Sequence, residues 1–200
     1  MDMTLWDERY GREGFFYGTE PNEFLRAHTA LLPPGGDVLC LAEGEGRNAV
    51  YLASMGFKVT GVDGSPVGIA KLRKLAGQRG VHVTGIVSDL AAFPIVPDAW
   101  DVIVSIWCHL PAPLRRQVYR ASVAGLRAGG LLLLEAYHPR QLEFKTGGPP
   151  TAELMATLAE LRGELAGLEL VEAREIERVV QEGQGHRGMS AVVQVVGRKG

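Results

Sequence analysis

Apolar residues along this chain follow two alternating rhythms. Short, mainly apolar runs at Val38–Ala42, Lys58–Val62, Val81–Val87, Val102–Ile106 and Leu131–Leu134 have the length of buried strands. Between them, apolar residues three and four apart make helical stripes: Ala49, Val50, Leu52 and Ala53, then Ile69, Leu72 and Ala76, then Leu114, Val118, Ala121 and Leu126. The second stripe opens at Ser65-Pro66, a hydroxyl cap followed by proline at the first helical position, runs to about Gln78 and stops at Gly80. The third opens at Pro111-Ala-Pro113 and leaves Arg115, Arg116 and Arg120 on its outer side, where they read as a solvated face. Glu23 to Leu32 reads as a short helix stopped by Pro33-Pro-Gly-Gly36, and Thr151 is expected to cap a helix that carries Leu154, Leu158, Leu161 and Leu165. Leu168–Val180 and Met189–Val196 read as strands joined by the glycine-rich Gln181–Gly188, a hairpin that forces one of them antiparallel. The alternation predicts an α/β fold, a doubly wound seven-stranded sheet that is mostly parallel with one antiparallel strand near its edge.

The first strand carries the chemistry. Asp37-Val-Leu-Cys-Leu-Ala-Glu-Gly-Glu-Gly-Arg-Asn-Ala-Val-Tyr51 runs from a strand through a glycine turn into a helix, so Gly44 and Gly46 offer close backbone approach at a helix amino terminus. Gly44-x-Gly46-x-x-Ala49 with Asp63 at the next strand end also satisfies the dinucleotide pattern, a weak match by itself. A dinucleotide would lay a doubly negative pyrophosphate over Glu43 and Glu45, like charge against like. S-adenosylmethionine has no phosphate and carries an ammonium and a sulfonium, so these acids favour it as the cofactor. Asp63 is placed to accept both ribose hydroxyls.

Val38-Leu-Cys-Leu-Ala-Glu-Gly-Glu-Gly-Arg-Asn48, Val59-Thr-Gly-Val-Asp-Gly-Ser65 and Val87-Ser-Asp-Leu90 resemble successive motifs of the class I S-adenosylmethionine-dependent methyltransferases. Tyr17-Gly-Thr-Glu-Pro-Asn22, the Gly-Glu-Gly-Arg-Asn run and Gly185-His-Arg-Gly188 resemble the branch of tellurite-resistance and thiopurine methyltransferases. The resemblance implies methyl transfer to a small-molecule acceptor such as a thiol or soft oxyanion. It implies donor binding by Ala42, Glu43, Gly44, Glu45, Gly46, Asn48, Asp63, Gly64, Ser65, Asp89, Leu90 and Ile106, with Asp89 and the Leu90 amide meeting adenine. Two positions depart from the pattern: Cys40 replaces the usual strand acid, whose role passes to Glu43, and Ala42 replaces the first glycine.

His109, Tyr137 and His186 are the candidate catalytic groups, needed as proton acceptors if the acceptor is an alcohol or amine and dispensable if it is a thiolate. The polar stretch Glu135–Pro150 reads as a lid with Tyr137, His138 and Arg140 facing the acceptor, and His186-Arg187 at the hairpin mouth is placed to meet an anionic substrate. Trp6, Tyr10, Phe15, Phe16, Tyr17 and Phe24 make the leader aromatic, so residues 1–33 read as an arm and helix over the site and residues 34–200 as the core of a single domain. A length of 200 residues suits that one domain. A net charge of -2 gives no footprint for nucleic acid, and no stretch has the length and apolarity of a membrane span. The start, Met1-Asp-Met-Thr-Leu-Trp-Asp-Glu, lacks signal-peptide character, and Cys40 and Cys108 fit reduced thiols, so a cytoplasmic monomer or homodimer is expected. No Cys and His spacing suggests a metal. The rival readings are a non-catalytic S-adenosylmethionine sensor and a nicotinamide-dependent oxidoreductase.

Overall fold

The computed structural model describes residues 4–200, so the part of the signal-peptide reading that rests on Met1, Asp2 and Met3 lies outside it. The chain runs α1 (Thr4–Tyr10), α2 (Glu23–His28), β1 (Asp37–Leu41), α3 (Arg47–Ser54), β2 (Lys58–Asp63), α4 (Pro66–Gln78), β3 (Val83–Val87), β4 (Trp100–Ile106), α5 (Ala112–Gly125), β5 (Leu126–Tyr137), α6 (Gln141–Phe144), α7 (Leu158–Glu164), β6 (Leu168–Glu182) and β7 (His186–Lys199). The strands form one seven-stranded sheet in the order β3-β2-β1-β4-β5-β7-β6. Strands β1 to β5 pair in parallel, and β7 runs antiparallel to both β5 and β6, as the hairpin requires. The strand order reverses between β1 and β4, the switch point where ligands bind at the carboxyl ends of such sheets.

Strand β1 is apolar at successive positions because both its faces are covered. Val38 and Cys40 enter the core under α2, α3 and α4, while Leu39 and Leu41 enter the core under α5 and α7. Helix α4 begins as its sequence dictates: the Ser65 hydroxyl accepts from the Gly68 amide at 3.0 Å, with Pro66 at the first helical position.

Several expectations fail, those for Glu135, His138, Arg140 and Arg115 because each has a partner distant in sequence. The stretch after Leu134 is no open loop: β5 continues through Tyr137, and Glu135 is fully buried among Arg178, Asn22 and Gln194. Beyond it, His138 meets Glu175 at 3.6 Å and Arg140 meets Glu177 at 2.6 Å, so both side chains turn to β6 instead of the acceptor. Arg115 is 3% exposed, forked onto both Glu164 oxygens at 2.8 and 3.0 Å, while Arg116 and Arg120 stay in solvent. Thr157, not Thr151, caps α7, through a reciprocal capping box with Glu160. The hairpin strands also run on to Glu182 and back from His186, which leaves a three-residue turn where eight residues read as a connection.

Candidate active site

At the carboxyl ends of β1, β2, β3 and β4 lies a cavity of about 100 Å³. Its floor is built by the turn after β1. Ala42 takes φ 49°, a left-handed conformation in which the chain reverses into the glycine loop, and Gly46 follows at φ 93° as the amino cap of α3. Glu43 folds back so that its Oε1 accepts from the Ala49 amide at 2.8 Å, satisfying one of the open donors of α3. At the end of β2, Asp63 accepts from Gly44 N and from Ser65 N, each at 2.8 Å, which fixes both turns relative to each other. Asp89 ends the third strand's loop with Oδ1 accepting from Ala91 N at 2.9 Å.

The acids of the loop divide into two kinds. Glu45 is already neutralised by Lys71 at 2.9 Å, and its other oxygen accepts from Tyr17 N at 3.1 Å. Glu43 and Asp63 are buried and have no ion-pair partner among the described residues. Burial pushes the Glu43 carboxyl up to about 7 and raises Asp63 as well. Two buried acids that resist ionisation while facing one cavity fit a cationic ligand, which would favour their charged form. Cys40 lies in the strand below, its thiol pushed up by burial and by Glu43.

The glycines serve a purpose the sequence does not show. A Cβ at Gly44 would stand 2.5 Å from the Tyr10 hydroxyl, and one at Gly68 would stand 3.0 Å from the Tyr10 ring. A Cβ at Gly46 would meet Leu72 of α4 at 2.6 Å. The small residues therefore admit Tyr10 of α1 and the side of α4, in addition to freeing the turn. Lys71 fastens the same arm by donating to the Arg12 and Gly14 carbonyls at 2.8 and 2.6 Å.

The opposite wall is aromatic. Trp107 directly follows β4 at φ 54°, a costly conformation for so large a residue. Its indole donates to Glu182 Oε2 at 2.7 Å, and the same oxygen takes Arg47 Nη2 at 2.5 Å. The Trp107 ring stacks on Tyr137 at 4.4 Å and on His186 at 5.0 Å, and His186 stacks on Tyr17 at 4.7 Å. Tyr137 and His186 are joined by a 2.8 Å bond between the phenol and Nδ1. Burial, assisted by Arg9, brings His109 down to about 3, and burial with the nearby His109, Arg47 and Arg9 charges holds His186 well below its ordinary value. Both imidazoles are neutral at pH 7, and His109 Nδ1 is buried with no hydrogen-bond partner among the described residues.

Of the residues expected to bind the donor, Ala42, Glu43, Gly44, Glu45, Asn48, Asp63, Gly64, Asp89, Leu90 and Ile106 line this cavity, together with His109 and His186. Gly46 and Ser65 do not reach the wall: the first packs on Leu72, and the second caps α4 and bonds Asp7. Tyr137 stands behind it, fully buried. Arg187 is exposed beside the buried His186, so that pair does not act together. Trp6, Tyr10, Tyr17, Arg47, Trp107 and Leu110 line the cavity and were not named as site residues. The aromatic leader was a visible signal for the first three, and for Arg47 the signal was its place directly after Gly46.

Residues 38–130 match the family model of a methyltransferase domain. The fold is a methyltransferase fold. An uncharacterised methyltransferase of Synechocystis is 30% identical over 141 residues, which cover 69% of this chain and 63% of that protein. The 2-heptyl-1-hydroxyquinolin-4(1H)-one methyltransferase of Mycobacteroides abscessus is 29% identical over 125 residues, 59% of this chain and 54% of that protein. The chain thus spans roughly three fifths of the lengths of the curated relatives it matches. Among solved structures, TehB of Haemophilus influenzae superposes with a TM-score of 0.74 at 20% identity over 98% of this chain and 66% of that one. The N-methyltransferase NodS of Bradyrhizobium japonicum, in complex with S-adenosyl-L-homocysteine, gives 0.71 at 16% over 98% and 96%.

One consequence of this cavity floor is a pH dependence of stability. The Glu43 carboxyl moves from 4.5 to about 7 on folding, so the folded state holds its proton more tightly than the unfolded chain. Its contribution is fully present below pH 4.5 and is lost as pH rises through 7, about 3 kcal/mol in all. Glu43→Gln keeps an oxygen for Ala49 N and removes the titration. Denaturant unfolding of wild type should therefore lose stability relative to Glu43→Gln between pH 4.5 and 8, and parallel curves would exclude a raised Glu43.

Proposed function

We propose that this protein transfers a methyl group from S-adenosylmethionine to a small-molecule acceptor with a soft nucleophile, a thiol or a soft oxyanion. One observation supports it above the rest: Glu43 and Asp63, buried and without ion-pair partners, face a single cavity whose other wall is apolar and aromatic. A pyrophosphate at that floor would meet two carboxylates and no free cation, which disfavours the nicotinamide reading. The likenesses to TehB and to an S-adenosylhomocysteine complex of the same fold agree with donor and branch.

When bound, the donor supplies an electrophilic methyl on a cationic sulfur and leaves as a neutral thioether. Asp63 would hold its ribose hydroxyls, Glu43 its ammonium, and Asp89 with the Leu90 amide its adenine. The chain's own work is alignment and exclusion of water, for which Tyr17, Trp107 and His186 form the wall on the acceptor side. His186 is a base candidate in its neutral form: when Nδ1 carries the hydrogen and donates to the Tyr137 oxygen, Nε2 is left to accept a proton.

Trp6, Tyr10 and Tyr17 line the cavity, so the amino-terminal arm covers the donor site of a single domain. The net charge of -2 and the two free, buried cysteines support a cytoplasmic protein with no nucleic-acid partner, acting as a monomer or homodimer.

Calorimetric titration tests the donor. S-adenosylhomocysteine is expected to bind in the micromolar range and NAD not to bind, and the reverse result would remove the proposal. Release of S-adenosylhomocysteine in a screen of thiols and oxyanions of tellurium or selenium separates an enzyme from a sensor.

A further inference from the structure

The turn joining β6 to β7 is three residues long, and both of its flanks serve the site. Glu182 before it accepts from Arg47 and from the Trp107 indole, and His186 after it lines the cavity. The turn residues themselves, Gly183, Gln184 and Gly185, are not part of the cavity wall. What they touch is the amino-terminal arm. A Cβ at Gly183 would stand 2.5 Å from Tyr17 Cα and would also overlap the Phe16 carbonyl oxygen, backbone atoms with no freedom to turn aside. Gly183 has φ 60°, so its own conformation asks for glycine as well. Gly185 separates the two causes. It has no left-handed φ, yet a Cβ there would overlap the Tyr17 ring and stand 2.9 Å from that of Phe16. Between the two glycines, the Gln184 amide donates to the Phe16 carbonyl oxygen at 2.8 Å.

Neither side of this contact has room to give. Behind the turn, Gly147 forms an antiparallel bridge with His186, and a Cβ at Gly147 would meet the Gly185 oxygen at 2.6 Å. On the arm side, the Tyr17 ring is enclosed by Trp6, Tyr10, Phe16 and His186, with ring centres 4.7–6.4 Å away. The Tyr17 amide is held too, donating to Glu45 of the glycine loop at 3.1 Å. The tightest of these ring contacts is the stack on His186, the residue next to Gly185, at 4.7 Å and 26°. A side chain added at Gly185 therefore has to push the ring off His186 or lift the arm from the turn. Lys71, which ties the arm at the Arg12 and Gly14 carbonyls, belongs to α4 and is a separate support.

We propose that Gly185 is a positioning residue: bare of a side chain, it lets the β6–β7 turn seat the arm and set the Tyr17 ring on His186 in the cavity wall. Gly183 and the Gln184 amide complete the seat. The turn is thereby the piece that joins two wall residues from opposite ends of the chain, one on the arm and one on the hairpin. Its service to the acceptor side rests on the methyl-transfer reading, whereas the seating of the arm does not.

The test follows Gly185→Ala by trypsin cleavage after Arg12, an exposed arm residue, and by the NMR shift of the His186 ring protons, which feel the ring current of Tyr17. Cleavage is expected to quicken about 10-fold as the arm leaves its seat more often, in line with a methyl forced into a packed contact. The His186 signal should move toward its position in Tyr17→Ala. Gly163→Ala, at a helix position where a Cβ meets nothing within 4 Å, should change neither. With the ring removed the added methyl has room, so Gly185→Ala in a Tyr17→Ala background should add nothing further to cleavage. If Gly185→Ala alone does not fold, that double variant should. Unchanged cleavage or an unmoved His186 signal in folded Gly185→Ala, equal acceleration with and without the Tyr17 ring, or a double variant that stays unfolded would each overturn the proposal. Absence of S-adenosylhomocysteine binding by wild type would instead remove the methyl-transfer reading and leave the seat standing.

Discussion

Asp63→Ala is expected to weaken S-adenosylhomocysteine binding about 100-fold, a loss of ~2.7 kcal/mol. The carboxylate sits at the end of β2 with both oxygens already fixed by Gly44 N and Ser65 N. Each oxygen retains acceptor capacity, and hydrogen bonds to a charged group contribute roughly 1.5–3 kcal/mol each. Two ribose hydroxyls on one carboxylate therefore account for the expected loss even after desolvation is discounted. The substitution also frees two backbone amides, so thermal unfolding must be followed in parallel. Asp63→Asn retains one carbonyl oxygen and should fall between wild type and alanine. A folded Asp63→Ala protein whose affinity changes less than threefold would show that the ligand is held elsewhere.

The second large effect concerns stability. Glu182→Ala should cost about 3–5 kcal/mol in denaturant unfolding, the usual loss when one member of a buried ion pair is removed. Arg47 and Glu182 are 6% and 5% exposed, so the cation left behind has little access to water. The same carboxylate accepts from the Trp107 indole at 2.7 Å and the Asn22 amide at 2.8 Å; the indole loses its partner, while Asn22 keeps its bond to Glu135. Because Glu182 helps hold Trp107 at φ 54°, acceptor turnover should fall as well. Arg47→Met in the Glu182→Ala background removes the orphaned charge and should recover part of the stability. A Glu182→Ala cost below 1 kcal/mol would mean that water reaches Arg47 and that the network does not act as a unit.

The contrast between Glu43 and Glu45 shows where reading the chain reaches its limit. Both precede a glycine in the same turn, and by sequence both read as charges that repel phosphate. In the fold, Lys71 neutralises Glu45 from 26 residues away, and only Glu43 remains without an ion pair. Arg115 and Glu135 were misplaced for the same reason: their partners, Glu164 and Arg178, lie 49 and 43 residues distant. A polar residue marks solvent only when nothing satisfies it inside, and its own neighbourhood in sequence does not reveal that partner.

By itself, the sequence determined the strands β1, β2 and β4, the start and end of α4, the reversed strand of the terminal hairpin, and the acids at strand ends that gather at one sheet edge. These follow from period, capping and turn chemistry, which act over a few residues. The tertiary structure alone decided which carboxylates have no ion-pair partner, that Tyr10 occupies the space left by Gly44 and Gly68, and that Trp107, His186 and Tyr17 meet on one wall. These depend on pairings across the folded sheet, between arm, strand end and hairpin, and on burial that exists only once the layers have closed.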